Sequence, residues 1–175
     1  MYNGKLVRLR AYKQEDVALA QQYYNDPEVK RYLVPGVPYP LTLPEEEKWC
    51  LSQSANNDIY SFAIETLEGA QYIGSCGINS VDWKNSVAQV GIFIGDKNFW
   101  GKGYGTDAMQ VLVRFAFEQM NLNKVSLNTY GFNTRAFKCY LKCGFKQEGT
   151  LRQGLFRDGR YHDIYLMGLL REEYK

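Results

Sequence analysis

Apolar and polar side chains alternate over short stretches in the first half of the chain and then give way to helical spacing. "LVRLRA" (Leu6 to Ala11) carries its hydrophobes at every second position, the period of a half-buried strand. "QEDVALAQQYYND" behind it reads as a helix ended by the Asp26-Pro27 break. Prolines crowd the stretch from Tyr32 to Leu43, which predicts an ordered loop around small helical turns. Thr42 and Glu45 then stand at capping-box spacing ahead of a helix in "EEEKWCLSQSA". "IYSFAIE" and "YIGSCGINSV" flank the turn "TLEGAQ" as paired strands, with "SVAQVGIFIG" (Ser86 to Gly95) as a third.

Beyond Gly95 the order changes. A glycine-rich loop leads into a helix running to Met120, followed by the strand "KVSLNTY", a helix from Asn133 to Cys143 and two strands around Asp158-Gly159, a dipeptide suited to a tight hairpin. A strand, helix, strand passage demands a parallel crossover, whereas hairpins demand antiparallel neighbours. The pattern therefore predicts a single α/β (α+β) domain over residues 1–175. Its sheet is mixed and mostly antiparallel, of about seven strands, with helices on both faces.

Composition narrows the partners. At 175 residues and 45% hydrophobic, the chain can bury a core that stands without disulfides or a structural metal. Its 21 basic and 19 acidic side chains nearly cancel, which removes the electrostatic footprint of a non-specific nucleic-acid binder. The apolar runs are short, and Met1 to Arg10 lacks the layout of a signal peptide, so the expectation is a cytoplasmic protein with no membrane partner. Cys50, Cys76, Cys139 and Cys143 have no ligand spacing, and the only histidine, His162, is remote from them in sequence. They read as free thiols, with no metal site.

Two stretches carry candidate chemistry. "FWGKGYGTDAM" (Phe99 to Met109) sets Gly101, Gly103 and Gly105 at alternate positions directly ahead of a helix that is apolar except for the stripe Gln110, Arg114 and Glu118. The first turn of such a helix has unpaired N–H groups and the positive end of the dipole. Glycines there let an anion approach the backbone, which makes the loop a candidate phosphate cradle; a tight strand-to-helix turn would also use them. The spacing excludes a Walker loop, because Gly103 follows Lys102, and fits a dinucleotide fingerprint only loosely, through Ala108. In the second helix Asn133, Phe137 and Tyr140 share one face, Asn133 suits the N-cap and Gly144 the closing position. Ala136 and Leu141 fall on its buried side, and Arg135, Lys138 and Lys142 on its solvent side.

"WGKGYGTDA" together with "NTRAFKCYLKCGF" some thirty residues later resembles the GNAT (GCN5-related N-acetyltransferase) superfamily. It is most similar to the branch of ribosomal-protein N-terminal and spermidine acetyltransferases, and the similarity extends to the late "FRDGRYHDIYLMGLL". The resemblance implies acetyl-CoA as cosubstrate, with its pyrophosphate on the backbone of Gly101, Lys102, Gly103, Tyr104, Gly105 and Thr106. It further implies that main chain around Phe93 and Ile94 pairs with the pantetheine arm, that Asn133 contacts that arm beside Phe137, and that Tyr140 protonates the departing thiolate. Trp100 stands where the family loop usually opens with Gln or Arg, which shifts phosphate binding onto backbone amides. Gln89 stands where many relatives carry a strand Glu, and an amide cannot act as a base.

Acetyl transfer to an amine needs a neutral acceptor, a polarised thioester and a protonated leaving sulfur. With reference values, proton donation from a phenol to the thiolate is uphill by about 2 kcal/mol, so Tyr140 must lie close to the sulfur. For the amine proton, spacing singles out none of Glu65, Asp82, Asp163 or a chain of waters. Without a carboxylate at Gln89, a protein N-terminus, which deprotonates readily, is the favoured acceptor; a polyamine or an aminoglycoside is the variant. Tyr39 in the proline-rich loop and Trp49 are expected to wall the acceptor side, and "PEEE" (Pro44 to Glu47) suits either a helix start or a cationic acceptor. The rival reading is a module that binds acyl-CoA as a sensor without catalysis, and the chain reads as a monomer or homodimer.

Overall fold

In the computed structural model, residues 2–33, 36–53 and 59–174 are described. Eight strands among them form one sheet, in the spatial order β1-β2-β3-β4-β5-β6-β8-β7. These are β1 Tyr2–Asn3, β2 Val7–Arg10, β3 Tyr60–Thr66, β4 Tyr72–Asp82, β5 Val87–Ile94, β6 Lys124–Tyr130, β7 Lys146–Arg157 and β8 Arg160–Leu170. The eighth strand, beyond the seven expected, is the two-residue β1, too short for any periodicity to reveal; it pairs Tyr2 with Leu9. All neighbours run antiparallel except β5 and β6, which are parallel.

Five α-helices connect the strands: α1 Asp16–Asn25, α2 Pro27–Leu33, α3 Leu43–Leu51, α4 Tyr104–Arg114 and α5 Thr134–Lys142. Proline at the first position of α2 does break the helical run, and it starts a second helix that runs into the stretch expected as a loop. The expected capping box opens α3, with Glu45 Oε2 accepting from the Thr42 N–H at 2.8 Å. The last part expected of that helix, Ser54 and Ala55, lies outside the described residues. Asp158 and Gly159 both adopt positive φ, 51° and 75°, as a tight hairpin turn requires.

Strand alternation sorts the two faces of the sheet. Val7, Leu9, Ile64, Ile73, Ile78 and Val90 join a core with Ala108, Met109, Leu112 and Phe117 from α4 and its extension, and with Tyr140 from α5. The intervening positions Ala63 and Tyr72 pack with Val17 and Ala20 of α1 and Cys50 of α3. Helices thus cover both faces, as a strand period of two allows.

The α1 side also holds a buried ion-pair network. Arg10 clasps Asp16 through two hydrogen bonds of 2.7 and 2.9 Å, and both Arg10 and Arg8 pair with Glu65, which is 1% exposed. Arg8 and Glu65 are cross-strand partners, so the register itself brings the charges together. Burial disfavours the Glu65 carboxylate, but the hydrogen bonds and charges of Arg10 and Arg8 outweigh it, and its pKa ends below the ordinary 4.5. A lowered acid pKa gives stability that is complete above the unfolded value and is lost as pH falls through the folded one. Glu65→Gln is therefore expected to cost about 3 kcal/mol at neutral pH. It should also flatten the fall of the urea midpoint below pH 4.5; an unchanged acid profile would exclude Glu65 from this role.

Candidate active site

The site begins where the sheet comes apart. β5 and β6 pair only through Val87, Ala88 and Gln89, opposite Lys124, Val125 and Ser126. Ser126 Oγ donates to the Ala88 carbonyl at 3.2 Å and ties the vertex. Beyond it β6 continues against β8 as far as the Tyr130–Ile164 pair, while β5 continues against β4 as far as Ile94–Gly74. The facing edges of Val90–Ile94 and Leu127–Tyr130 are left without strand partners, a wedge that opens toward the glycine loop.

At its wide end the chain turns through Gly101 (φ +72°) and Gly103 (φ +92°) into α4. These angles, not lack of room, require glycine at Gly103: a Cβ there would meet only Leu6 Cδ1, at 3.6 Å. The first internal bond of α4 runs from Asp107 N–H to the Gly103 carbonyl, and no side chain caps the turn before it. The first-turn amides thus remain available to an anion.

Asp107 fixes this turn to the sheet. Its buried carboxylate accepts the N–H groups of Lys5, Leu6 and Val7 at 2.9, 2.8 and 3.0 Å. Gly4 makes the approach possible, because a Cβ there would stand 2.3 Å from Asp107 Oδ2. The sequence reading missed this clamp: its partners lie a hundred residues away, and no local pattern signals them.

Helix α5 is fixed at both ends as anticipated. Asn133 Oδ1 accepts from the Ala136 N–H at 3.2 Å, and Gly144 at φ +94° closes the helix as Phe145 N–H returns to the Tyr140 carbonyl at 3.0 Å. The Thr106 hydroxyl donates to Cys139 Sγ at 3.4 Å, joining the glycine turn to the helix that bears Tyr140. Tyr140 is 7% exposed, and burial first, then the neighbouring Cys139 and Cys143, push its phenol pKa well up. Its hydroxyl has no hydrogen-bond partner among the described residues.

One cavity of about 990 Å³ collects most of the expected residues: Gly101, Gly103, Gly105, Thr106, Phe93, Ile94, Asn133, Tyr140, Gln89 and Trp49 all line it. Lys102 is exposed and does not line the cavity. Nor do the side chains of three other candidates. Tyr104 packs edge-on against Phe99 at 4.8 Å, Phe137 against Tyr165 at 5.5 Å, and Tyr39 is 79% exposed, only its carbonyl being engaged, by Lys30 Nζ at 2.6 Å. The Ile94 carbonyl already accepts from Trp100 Nε1 at 2.7 Å, so Trp100 braces the wedge and leaves the open edge upstream.

One further expectation needs correction. Leu141, assigned to the buried side of α5, is 48% exposed; Arg135, Lys138 and Lys142 are exposed as expected and also line the cavity. Arg135 lies 3.6 Å over the Trp100 ring, which turns the basic face toward the glycine loop. None of the three carboxylates considered for the amine proton lines the cavity: Glu65 is held by arginines, Asp82 accepts from the Asn85 N–H, and Asp163 from that of Gln153. Glu45 and Glu46 of α3 line it instead.

An open strand edge, an uncapped glycine turn and a buried tyrosine thus line one cavity, an arrangement that can receive an extended, anion-bearing ligand. A family model of the acetyltransferase (GNAT) domain matches residues 7–146. An uncharacterized N-acetyltransferase of Bacillus licheniformis, p20, is 32% identical over 178 aligned positions, which take in 99% of this chain and 97% of that protein. The spermidine N-acetyltransferase of Vibrio cholerae, solved with CoA and spermine, superposes with a TM-score of 0.85 at 26% identity, over 96% of this chain and 97% of its own. A GNAT-family acetyltransferase of Bacillus anthracis shares the fold at 18% identity, with a TM-score of 0.84 over 98% of this chain and 99% of its own. The chain belongs to the GNAT acetyltransferase family and is an acetyl-CoA-dependent N-acetyltransferase.

The Asp107 clamp can be tested by stability alone. Asp107→Ala removes a charged acceptor from three amides and is expected to cost about 3 kcal/mol, or roughly 6–12 °C in thermal midpoint for a chain of this size. A shift under a degree or two by calorimetry would mean that the turn is held elsewhere.

Proposed function

We propose that the chain acetylates a primary amine by direct attack on acetyl-CoA held in the wedge, with Tyr140 as general acid. The observation that carries this reading is the single cavity that joins the open edge of β5, the uncapped glycine turn, Asn133 and Tyr140. The turn amides and the basic face of α5 receive the phosphates, and Val90–Ile94 aligns the pantetheine arm. Tyr140 then faces the thioester sulfur. As the amine forms its C–N bond, the C–S bond breaks and the Tyr140 hydroxyl gives its proton to the thiolate. The phenolate recovers a proton from the one the nitrogen sheds, through solvent. Burial makes Tyr140 a weaker acid than the reference phenol, but the same apolar surroundings disfavour a free thiolate. The two effects oppose each other, which keeps the transfer within reach.

The acceptor we assign is a polypeptide N-terminus. Gln89 lines the cavity as an amide and takes no proton, which suits an amine that is largely neutral near pH 8. A second reading, a small polycationic amine, is supported by the two α3 carboxylates and by Tyr12, Tyr24 and Trp49 in the same cavity. Thiol release from acetyl-CoA, measured across N-terminal peptides, spermidine and aminoglycosides, separates these acceptors. Background release throughout, with CoA still bound, would leave only the sensor role.

Tyr140→Phe is expected to retain CoA affinity within about threefold and to lower kcat by roughly ten- to a thousandfold; unchanged turnover removes Tyr140 from the chemistry. For the phosphate seat, Gly103→Val forces a branched side chain into φ +92° and is expected to abolish measurable CoA binding. Lys102→Ala should change that affinity by less than about threefold, since only its backbone belongs to the turn. Calorimetry giving the reverse order would place the phosphates on side chains.

A further inference from the structure

Glu46 is a charged residue in an unusual place. It lies one turn into α3, is only 6% exposed, and lines the large cavity. The one hydrogen bond of its side chain among the described residues is from Cys50 Sγ, 3.4 Å from Oε1, and no basic side chain pairs with it there. The flanking glutamates are used otherwise. Glu45 is tied into the helix cap by Thr42, and exposed Glu47 accepts from Gln14 Nε2 at 2.6 Å. A buried carboxylate is costly unless paired, so one left facing a cavity with a weak thiol contact is a seat for a cation that arrives from outside.

The walls fit that cation. Tyr12, Tyr24 and Trp49 line the same part of the molecule, with Tyr12 edge-on to Trp49 at 5.5 Å. The Tyr12 hydroxyl, buried near Ser75, has no well-aligned hydrogen-bond partner among the described residues. Aromatic faces, an idle hydroxyl and a carboxylate together suit an alkylammonium group.

We propose that Glu46 is the anionic seat for an ammonium group of the acceptor, with Tyr12, Tyr24 and Trp49 as its walls. The inference rests on the acetyltransferase reading only in supposing that an amine enters this cavity; binding tests it apart from turnover. Because the attacking amine must be neutral, the seat holds a second, charged nitrogen of the acceptor, which spermidine carries and an alanyl peptide with its single amine does not, and the two probes distinguish them.

Titration gives a further handle. Burial raises the Glu46 pKa above the ordinary carboxylate value, the Cys50 contact opposing it. The groups around it are Cys50 on its own helix, Tyr24 and the Arg10-paired Asp16 from α1, and Tyr72 from β4. None of these is a cation; Lys30 of α2, 4.6 Å over the Tyr24 ring, donates to Asn25 Oδ1 and the Tyr39 carbonyl and makes no ion pair with Glu46 among the described residues. The amine requires the ionised carboxylate, so binding should weaken as pH falls through this raised value.

The experiment is calorimetry on the CoA-loaded protein with spermidine and, separately, an N-terminal alanyl peptide. Glu46→Gln is expected to weaken spermidine binding by roughly ten- to a hundredfold, to leave peptide and CoA affinity unchanged and to remove the acid-side loss of spermidine binding. Glu47→Gln is expected to change none of these. Should the Gln variant not fold, Glu46→Met, which replaces the buried charge with an apolar chain of similar length, is read in the same way. Spermidine affinity within twofold of wild type in the variant, the same acid limb in both, or no spermidine binding to wild type would overturn the proposal. Spermidine binding lost in the variant, with wild type releasing no thiol, would sink catalysis while leaving the seat in place.

Discussion

The architecture turns on the early end of pairing between β5 and β6. Three rungs set their parallel register, and then two strands in the middle of an eight-stranded sheet part company. Unpaired main-chain groups within a sheet are unfavourable, and an open strand edge invites pairing with another extended chain. The fold tolerates the parting because each strand keeps its outer neighbour, β4 for β5 and β8 for β6, so neither loses both ladders. A linear ligand bearing amides can restore what the sheet gives up, and the wedge aims it at the end of α4. On the proposed reading, binding is a completion of the sheet before any side chain takes part.

A wedge is useful only if its two sides hold still. On the α4 side, Asp107 anchors the glycine turn to the β1–β2 connection, and the Thr106–Cys139 contact ties that turn to α5. On the α1 side, the Arg10–Asp16–Glu65 network fixes α1 to β2 and β3. Both devices place a carboxylate where burial alone would forbid it, and both satisfy it completely. Glu46 has no such completion, and the contrast with three well-paired buried acids, Asp107, Asp16 and Glu65, marks it out.

What could be read from the sequence was local. Alternation gave the long strands, capping residues gave the ends of α3 and α5, and Asp158-Gly159 gave the last hairpin, because each of these depends on neighbours within a few positions. The glycine turn and Tyr140 were visible as a pair of motifs, and the fold brings both to one cavity. The two-residue β1 carries no period, and Asp107 looks like an ordinary acid in a first helical turn until the distant amides it accepts are known. The basic face of α5 is exposed as expected, but its place beside the cavity could not be read, for a physical reason. Amphipathic analysis divides a helix into core and solvent, and a cavity mouth is neither. Glu46 was hidden similarly inside an acidic run that suits any helix start.

The cavity is also polarised, although the chain as a whole carries a net charge of only +2. Arg135, Lys138 and Lys142 stand on α5, which packs on one face of the sheet, whereas Glu45 and Glu46 stand on α3, which packs on the other. A field this local is screened within a Debye length of about 8 Å at physiological salt, so it cannot gather ligands from solution. Inside the cleft it acts differently, because the low-dielectric walls preserve it over the few ångströms that matter. A polyanionic donor is favoured from the α5 side and a cationic acceptor from the α3 side. The two partners then meet where the strands separate, beside a buried phenol that needs neither charge to remain protonated. On the proposed reading, division of charge across the sheet sets the direction from which each substrate enters, and the parting of β5 and β6 sets where they meet.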